Sequence, residues 1–591
     1  MDTGMATKNE EAQANSARDK LQDPELVRHL RRRLTSLETE RKRGWETHWR
    51  DLARNFMPRR ARFLDAGEPT NDGDVRNHLQ DDIGILAVRT LASGMQSGLT
   101  SPARPWFSLT LQDEALTHNE AVKQWLHDCY ERMVSVFARS NFYDQIHMLY
   151  RELAVFGTAV MMVEADPDSA IRCRTLTAGE FCLDVNASSR VDTLYRRIRM
   201  TPRQIAEAWP MTCPERIKRM AELDNNDWLT LLHAIEPNPN FKPERVSRTE
   251  RPWRSVYMIL ESGCEVLEDS GYYEFPALCP RWDTTASDIY GSSPAMDALG
   301  DCRQLQKITE DGRIALEKEV NPPLLIAESS GIDSVDVSAG AMNFTSSLAQ
   351  GQPSVTSLYQ VRANLPALEA TKAQLKQQIR EMFFNDLFLM ITESHKNMTA
   401  TEVAERNSEK MLLLGPVLDR LRSELFQPLI ERCYGVESRE GILPPPPVQQ
   451  VPELQGKEIK IEFISILALA QKQAGINAIN QTVGFIGTLA QITQNPAVLD
   501  KLNADEAVDE VAEMQGVPPK LIRSDEEVAA MRQARAQQMQ QAQAMQMMQA
   551  GAEVAATGAK AVKDAAGASA GLPPEALQQA MGGMGGMGGG A

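Results

Sequence analysis

Residues 293–323 read SPAMDALGDCRQLQKITEDGRIALEKEVNPP and predict one long helix with sharp ends. A serine followed by proline is a common helix start, with serine as the N-cap and proline in the first turn. Apolar residues then recur at spacings of three and four: Met296, Leu299, Cys302, Leu305 and Ile308. The run Asn321-Pro322-Pro323 stops the pattern, so the helix spans residues 294–320 and about 40 Å at roughly 1.5 Å per residue.

A second long helix is predicted from about Asn364 to Met390, with apolar residues again at helical spacing. Between the two helices, residues 321–363 carry short apolar runs broken by Ser, Gly and Pro. These runs indicate a small module that contains strands. The arrangement is therefore two matched long helices that flank a compact insertion.

A polar loop, residues 393–398 (ESHKNM), follows the second helix. Thr399 with Glu402 three positions later forms a capping-box pattern, so a third helix is expected from Thr399 to Cys433. Gly415-Pro416 should kink that helix, because proline removes a backbone hydrogen bond and clashes with the preceding turn.

The first 290 residues combine helices with alternating, strand-like runs. Residues 1–23 are polar and expected to be disordered, and 24–57 have the apolar spacing of a helix. Strands are predicted at 158–164, 171–176, 181–185, 191–200, 229–236, 253–261, 265–269 and 272–275. This order indicates an α+β region with an antiparallel sheet.

The C-terminal part changes character several times. Residues 443–448 form a stiff polyproline connector, and one strand-like run at 459–464 precedes helices at 465–502 and 504–515. From residue 525 the chain is rich in Ala, Gln and Met, and 581–591 is a Gly/Met tail that cannot form a core and should be disordered.

The chain has 591 residues, 42% of them hydrophobic, and a net charge of -17. Several domains fit this length, and the acidity argues against a protein that coats nucleic acid over its whole surface. Residues 26–62, however, hold twelve Arg/Lys against four Asp/Glu, so the remainder carries about -25. This basic helix either contacts nucleic acid or an acidic partner, or is the solvated outer face of a packed helix.

No catalytic or metal-binding signature is present in the sequence. It contains no GxxxxGK[ST] loop, no GxGxxG after a predicted strand, no GxSxG at a strand-to-helix elbow and no HExxH, and its eight histidines form no pair at ligand spacing. Eight scattered cysteines without a CxxC pair predict reduced core thiols. The apolar runs are too short for a membrane helix. We therefore expect a structural protein that is not an enzyme and has no cofactor.

Several motifs, taken in order, resemble the head-to-tail connector, or portal, proteins of short-tailed double-stranded DNA bacteriophages. They are GLTSPARPWF (98–107), DIYGSSPAMDAL (288–299), VNPPL (320–324), TATEV (399–403), LGPV (414–417) and LFQPL (425–429). The resemblance covers roughly residues 24–523. Each motif alone is weak, and their order makes the resemblance specific.

The resemblance implies a helix-rich α+β portal fold, with regions in the following order. They are an antiparallel-sheet wing (24–290), a stem helix (291–320), a clip (321–363), a second stem helix (364–390), a tunnel loop (391–398), a kinked wing/crown helix (399–434), a Pro-rich connector (435–449), a helical crown (450–524), an Ala/Gln/Met extension that is a helical barrel or disordered (525–580), and the tail (581–591).

It also implies a function and partners. Such proteins form rings, typically of twelve subunits, at one capsid vertex of the virion, and double-stranded DNA passes through them. The implied partners are the terminase large subunit, tail adaptor proteins, and the major capsid and scaffolding proteins. Tunnel-loop residues facing DNA would be Glu393, His395, Lys396 and Asn397, with Thr399 and Glu402 capping the next helix; clip contacts would be Asn321, Pro322, Pro323, Phe344 and Tyr359.

The charges of the two long helices suit a duct through which DNA slides. Residues 291–319 hold four basic and six acidic side chains, and 363–391 hold three of each. Channel walls with nearly balanced charges would bind the phosphates of DNA only weakly. Lys396 is either a contact to passing phosphates or an ordinary exposed lysine.

The alternative function for the whole chain is a different helical, ring-forming or scaffold-like virion protein.

Overall fold

A computed structural model describes most of residues 22–327 and parts of the chain beyond. Its gaps before 327 are 59, 61–78, 112, 114–115, 117–118, 226, 244–246, 262 and 286–287. It then describes 335–345, 355–358, 364–386, 415–448, 451–452, 459–463, 503–515, 527–545 and a few isolated positions. The chain divides into two compact units, Met1–Gln515 and Gly516–Ala591.

The first unit begins with helices and continues into strands. The elements up to the first long helix are α1 (Pro24–Gly44), α2 (Glu46–Phe56), α3 (Ile83–Leu99), β1 (Phe107–Leu111), α4 (Glu120–Arg139), α5 (Phe142–Phe156), β2 (Val160–Asp166), β3 (Ala170–Leu176), β4 (Phe181–Val185), β5 (Val191–Met200), α6 (Pro202–Ala208), α7 (Glu215–Glu222), β6 (Leu229–Pro237), β7 (Trp253–Ile259), β8 (Val266–Tyr272) and β9 (Ala277–Leu278).

The elements that follow are α8 (Pro294–Val320), β10 (Leu324–Ala327), β11 (Met342–Thr345), β12 (Val355–Ser357), α9 (Leu365–Met382), α10 (Gly415–Leu421), a π-helical turn (Arg422–Phe426), α11 (Gln427–Arg439), β13 (Ile459–Phe463) and α12 (Ala504–Gln515). The chain is thus a mixed α+β fold, rich in helices, as its sequence predicts.

A five-stranded antiparallel sheet, in the order β4-β5-β6-β7-β8, confirms the predicted antiparallel sheet. Its strands bury side chains on both faces. The leucines of α1 pack with Tyr195, Leu232 and Val256 in one apolar cluster. Ile205 and Ile217, from α6 and α7, pack with Leu231 and Ile259 in another.

The main apolar core joins the first helices to the long ones. Trp49, Phe156, Leu305, Ile379 and Leu429, from five different helices, all belong to one buried cluster. All eight cysteines are buried and free. The long helices are therefore anchored in the same core as the N-terminal region.

One predicted strand is longer than expected and the next does not form. Residues 265–269 and 272–275 are predicted as two strands; instead β8 runs from Val266 through Ser270-Gly271 to Tyr272, and residues 273–275 are not in a strand. Glycine is required at position 271 because a Cβ there would lie 2.6 Å from the Trp253 carbonyl oxygen. The glycine thus serves close backbone packing within the strand.

The second long helix ends earlier than expected, at Met382 rather than Met390. Phe383 is fully buried and its ring lies 5.5 Å from that of Phe56. Phe384 has a φ of +53°, which an α-helix does not allow, and its ring contacts Trp282. Packing of these two rings, which no local pattern reveals, ends the helix.

The described part of the third helix is irregular at a different place from the predicted one. The π-helical turn Arg422–Phe426 precedes Pro428. The ring of Pro428 would clash with the Glu424 carbonyl in a regular α-helix, and the wider turn relieves this. Gly415-Pro416, where the kink was predicted, stands at the start of the described segment, and 399–414 lie outside the described residues.

Strand β13 pairs antiparallel with β1, Phe107 opposite Phe463 and Leu111 opposite Ile459. The predicted crown thus contributes a strand to the predicted wing. In the second unit, 527–545 form a helix whose side chains are almost all exposed. The predicted disordered segments 1–21 and 581–591, and the helix over 465–478, lie outside the described residues.

Candidate functional site: the paired long helices and the strand module

The helices α8 and α9 form a hairpin that carries a small sheet at its closed end. Gly312 of α8 faces Leu368 of α9, where a Cβ would come within 3.2 Å of both leucine methyl groups. Strand β10 follows α8 directly, and β12, which precedes α9, pairs with it antiparallel. The glycine permits close approach of the two helices.

The motif YGSSP, residues 290–294, joins this hairpin to the N-terminal region. Ser293 accepts a hydrogen bond from the Met296 amide as the N-cap of α8, and its hydroxyl donates to the Val155 carbonyl at 2.7 Å. A Cβ on Gly291 would lie 2.5 Å from the Gly157 carbonyl oxygen. The Tyr290 hydroxyl accepts from the Leu183 amide at 3.0 Å. Tyr290, Gly291 and Ser293 of the motif therefore each have a structural reason.

A second set of contacts, which the sequence does not predict, links the long helices to the N-terminal region. The Gln306 side chain on α8 accepts from the Gln80 and Asp81 amides at 2.6 and 3.0 Å, and donates to the Asp81 carbonyl at 2.6 Å. Lys376 on α9 forms an ion pair with the Asp81 carboxylate at 2.7 Å. Both long helices are thereby fastened to the residues before α3. A glutamine on a charged helix gives no sequence signal for this role.

The far half of α8 exposes apolar side chains. Its first half is buried at Ala295, Leu299 and Leu305, whereas Leu316 is 48% and Val320 78% exposed. Strand β11 also exposes large apolar side chains, Met342, 63% exposed, and Phe344. Several large exposed apolar residues at one end of the hairpin indicate a surface that another molecule covers.

Four of the seven cations on α8 and α9 form ion pairs, Arg303 and Lys376 with residues outside the hairpin and Lys307 and Lys372 within it. Lys307 pairs with Glu310 and Asp311 at 3.2 and 3.0 Å, and Lys372 pairs with Glu369 at 3.0 Å. Such exposed pairs contribute little to stability. They cancel the field that free lysines would present to a polyanion, so the hairpin surface is electrostatically weak.

The strand module places some of the predicted clip residues together. Asn321 is the C-cap of α8, and its carbonyl accepts from the Gly340 amide at 2.9 Å. Gly340 has a φ of +73° and lies against the Asn321 side chain. The Pro323 carbonyl accepts from the Leu358 amide at 2.7 Å, so the segment around Pro322 and Pro323 is fixed on both sides.

Phe344, also predicted, lies on β11 opposite Ile326. It stands beside Asn343, which sequence reasoning missed. The Asn343 side chain accepts from the Asp336 amide at 2.7 Å and donates to the Asp336 carbonyl at 2.8 Å. The Asp336-x-Ser338 turn pattern was the available signal. The module is thus a three-stranded mixed sheet in the order β11-β10-β12.

The remaining predicted site residues lie outside the described residues. They are Tyr359, Glu393, His395, Lys396, Asn397, Thr399 and Glu402. Among the residues that are described, no group of three or more His, Cys, Asp and Glu is placed to hold a metal ion. Within the same ranges, no helix has the length and apolarity needed to cross a bilayer.

Comparison with known proteins identifies the family. The family model described as bacteriophage head to tail connecting protein matches residues 27–522. The chain is 39% identical to the probable portal protein of Bordetella phage BPP-1, over 88% of this chain and 93% of that protein. It is 38% identical to the portal protein of Salmonella phage epsilon15, over 86% of this chain and 91% of that protein.

A solved neck of a gene transfer agent particle is similar at 12% identity, with a TM-score of 0.34, covering 68% of this chain and 86% of that chain. That similarity is too low to support a structural argument, whereas the family model covers most of the chain. The chain therefore belongs to the bacteriophage head-to-tail connecting, or portal, protein family, whose members are structural, non-enzymatic components of the virion at the junction of head and tail.

Proposed function

We propose that this portal protein forms a closed ring, with twelve copies as the expected number, at one vertex of the capsid. Double-stranded DNA passes through its central channel during packaging and ejection. The observation that carries the proposal is the hairpin of α8 and α9: it is anchored in the core at one end and exposes Leu316, Val320 and Met342 at the other.

A closed ring explains this exposure. In a cyclic assembly one face of each hairpin packs against the next copy, so apolar residues exposed in the single chain become buried. The other face of the hairpin then lines the channel. Its paired charges leave few cations free for phosphates, which suits a channel through which DNA must move in both directions.

We further propose the roles of the two ends of the hairpin. The strand module, with Asn321, Pro322, Pro323, Phe344 and Tyr359, would be the clip, which contacts the terminase large subunit during packaging and tail adaptor proteins afterwards. Residues 391–398 would form the tunnel loop, in which Lys396 contacts passing phosphates. The wing would contact the major capsid and scaffolding proteins. Family membership decides against a scaffold-like virion protein.

Assembly of purified variants tests the ring. The double variant Leu316→Asp, Val320→Asp places two carboxylates in the proposed subunit contact and should give small species in mass photometry and negative stain. The matched control is Met211→Asp, Leu223→Asp, because Leu223 is 80% exposed but lies in the N-terminal region; it should assemble as the wild type does. Rings from the first variant, or a wild type that remains monomeric at every salt concentration, would contradict the proposal.

The tunnel loop has a separate test. Lys396→Ala should leave ring assembly intact and change how much DNA is retained in particles after packaging. Lys318→Ala, on the far half of α8, serves as the control for loss of one positive charge on the hairpin. Equal DNA retention in Lys396→Ala and wild-type particles would show that Lys396 is an ordinary exposed lysine and would refute the proposed phosphate contact.

A further inference from the structure

The outer face of α1 carries a row of exposed cations. Its inner face is apolar: Leu26, Leu30, Leu34 and Leu37 are buried against the five-stranded sheet. At about 100° per residue, these leucines occupy one side of the helix. The side opposite to them faces solvent.

Other cations of α1 serve to dock the helix. Arg41 donates to the carbonyls of Gly179 and Phe181 at 2.8 Å each, and Arg33 pairs with Asp184. These side chains are therefore committed to the sheet and hold the helix in a fixed orientation. Their use distinguishes them from the residues on the outer face.

Five cations and two threonines form the centre of the outer face between residues 28 and 43, and the exposed Ser36 and Glu40 lie beside them. On a helical projection the five cations and two threonines fall within an arc of about 120°, and they are Arg28, Arg31, Arg32, Thr35, Thr39, Lys42 and Arg43. All seven are exposed. Arg28 lies 3.9 Å from the Glu25 carboxylate, and the structure shows no ion pair from the other four cations to any described residue. The row extends over about 22 Å of helix axis at 1.5 Å per residue.

We propose that this face binds the phosphate backbone of double-stranded DNA, without sequence preference and at a place distinct from the hairpin. The charge is complementary, and four of the five cations are arginines, whose planar guanidinium matches phosphate oxygens. Contacts of this kind fix DNA by its backbone and read no bases.

An acidic protein segment fits the face less well. Protein interfaces depend on an apolar core, usually with aromatic or methionine side chains. Between residues 28 and 43 this arc carries no apolar side chain. A polyanion with regularly spaced charges needs no such core, since counterion release supplies the binding free energy.

The test uses the full-length protein and a short fluorescent duplex of mixed sequence. In the variant Arg31→Gln, Arg32→Gln, Lys42→Gln, Arg43→Gln, glutamine keeps the helix propensity while four charges are removed. Anisotropy titrations between about 50 and 200 mM salt should show affinity at least about tenfold weaker at low salt, and a slope of log K against log salt reduced by about 3 to 4.

The matched control removes four exposed arginines from the same region outside α1: Arg172→Gln, Arg174→Gln, Arg190→Gln, Arg219→Gln. It should retain the affinity and slope of the wild type. Equal losses in both variants, or no loss in the α1 variant, would overturn the proposal. Displacement of the duplex by polyglutamate at equal charge would overturn it in favour of an acidic protein partner.

Ring assembly separates this inference from the conduit function. Sedimentation of the α1 variant should show the same particle as the wild type. A smaller particle would mean that the face is a contact between subunits, and the DNA-binding proposal would fail while the ring proposal stood. Unchanged duplex binding in an intact ring would refute this inference alone.

Discussion

The Nζ of Lys376 lies 2.7 Å from the carboxylate of Asp81, and this ion pair joins the second long helix to the segment that leads into α3. Asp81 is also held through its backbone by Gln306 from the first long helix. Both arms of the hairpin thus converge on one short segment. The segment immediately before it, 61–78, lies outside the described residues.

The Lys376–Asp81 pair should make a modest contribution to stability. Lys376→Met removes a partly exposed pair and should lower the free energy of unfolding by about 0.5–1 kcal/mol. A double-mutant cycle with Asp81→Asn, measured by urea denaturation, gives the coupling energy. Coupling indistinguishable from zero would show that the pair does not fasten α9.

Gln306→Ala should cost more than loss of the ion pair. It removes three hydrogen bonds, two of them accepted from the Gln80 and Asp81 amides, at a net cost of about 0.5–1.5 kcal/mol for each bond that water replaces imperfectly. Gln304→Ala, at an exposed position of the same helix, is the control and should change stability little. Equal thermal midpoints for the two variants would contradict the role assigned to Gln306.

Two helical glycines should respond in opposite directions to alanine. At Gly435 a Cβ would lie 2.5 Å from Oε1 of Glu274, whose carboxylate is held by ion pairs with Arg432 through Oε2 and Arg439 through Oε1. Gly435→Ala should therefore destabilise by about 1–3 kcal/mol despite its better helix propensity. Gly300 has no atom within 4 Å of the added Cβ. Gly300→Ala should raise stability by up to about 1 kcal/mol. Thermal unfolding checks both signs, and stabilisation of the Gly435 variant would contradict the crowding argument.

Glu437 should make stability depend on pH. It is fully buried on α11, and neither carboxylate oxygen has a hydrogen-bond partner among the described residues. Burial raises the pKa of Glu437 from 4.5 to about 8, opposed by Arg139. The folded protein thus keeps a proton that the unfolded chain releases, so the free energy of unfolding falls as pH rises from about 4.5 to about 8.

Glu437→Gln removes this dependence. The variant should be more stable than the wild type above pH 8, by an amount of the order of a few kcal/mol, with a smaller difference near pH 5. Melting curves at pH 5, 7 and 9 measure the change. Glu431→Gln, exposed on the same helix, should reproduce the wild-type curve. A parallel pH profile for Glu437→Gln would refute a buried proton at this position.

Phe383→Ala should destabilise the end of α9. The ring is fully buried against Phe56, and removal of a buried phenylalanine ring costs about 3–5 kcal/mol. Met382→Ala, half-exposed at the neighbouring position, is the control and should cost far less. Similar denaturation midpoints for the two variants would show that this packing does not fix the end of the helix.

Local patterns determined much of the fold. Ser293-Pro294 and Asn321-Pro322 bound α8 in both the sequence and the structure, because capping and proline geometry depend on a few neighbouring residues. The strand-like runs at 181–185 and 191–200 coincide with β4 and β5 in the same way. The ordered motifs also identified the portal family, to which the chain belongs.

Tertiary structure alone decided where distant segments meet. The pairing of β13 with β1 joins residues more than 340 positions apart, and either strand pattern fits many partners. The end of α9 at Met382 depends on Phe56, and the role of Gln306 depends on the backbone of Asp81. The same holds for the cations of α1: the sequence shows a basic helix, but only its packing separates the residues committed to the sheet from those that face solvent. Contacts of this kind arise from the arrangement of the whole core, which spacing along one segment does not encode.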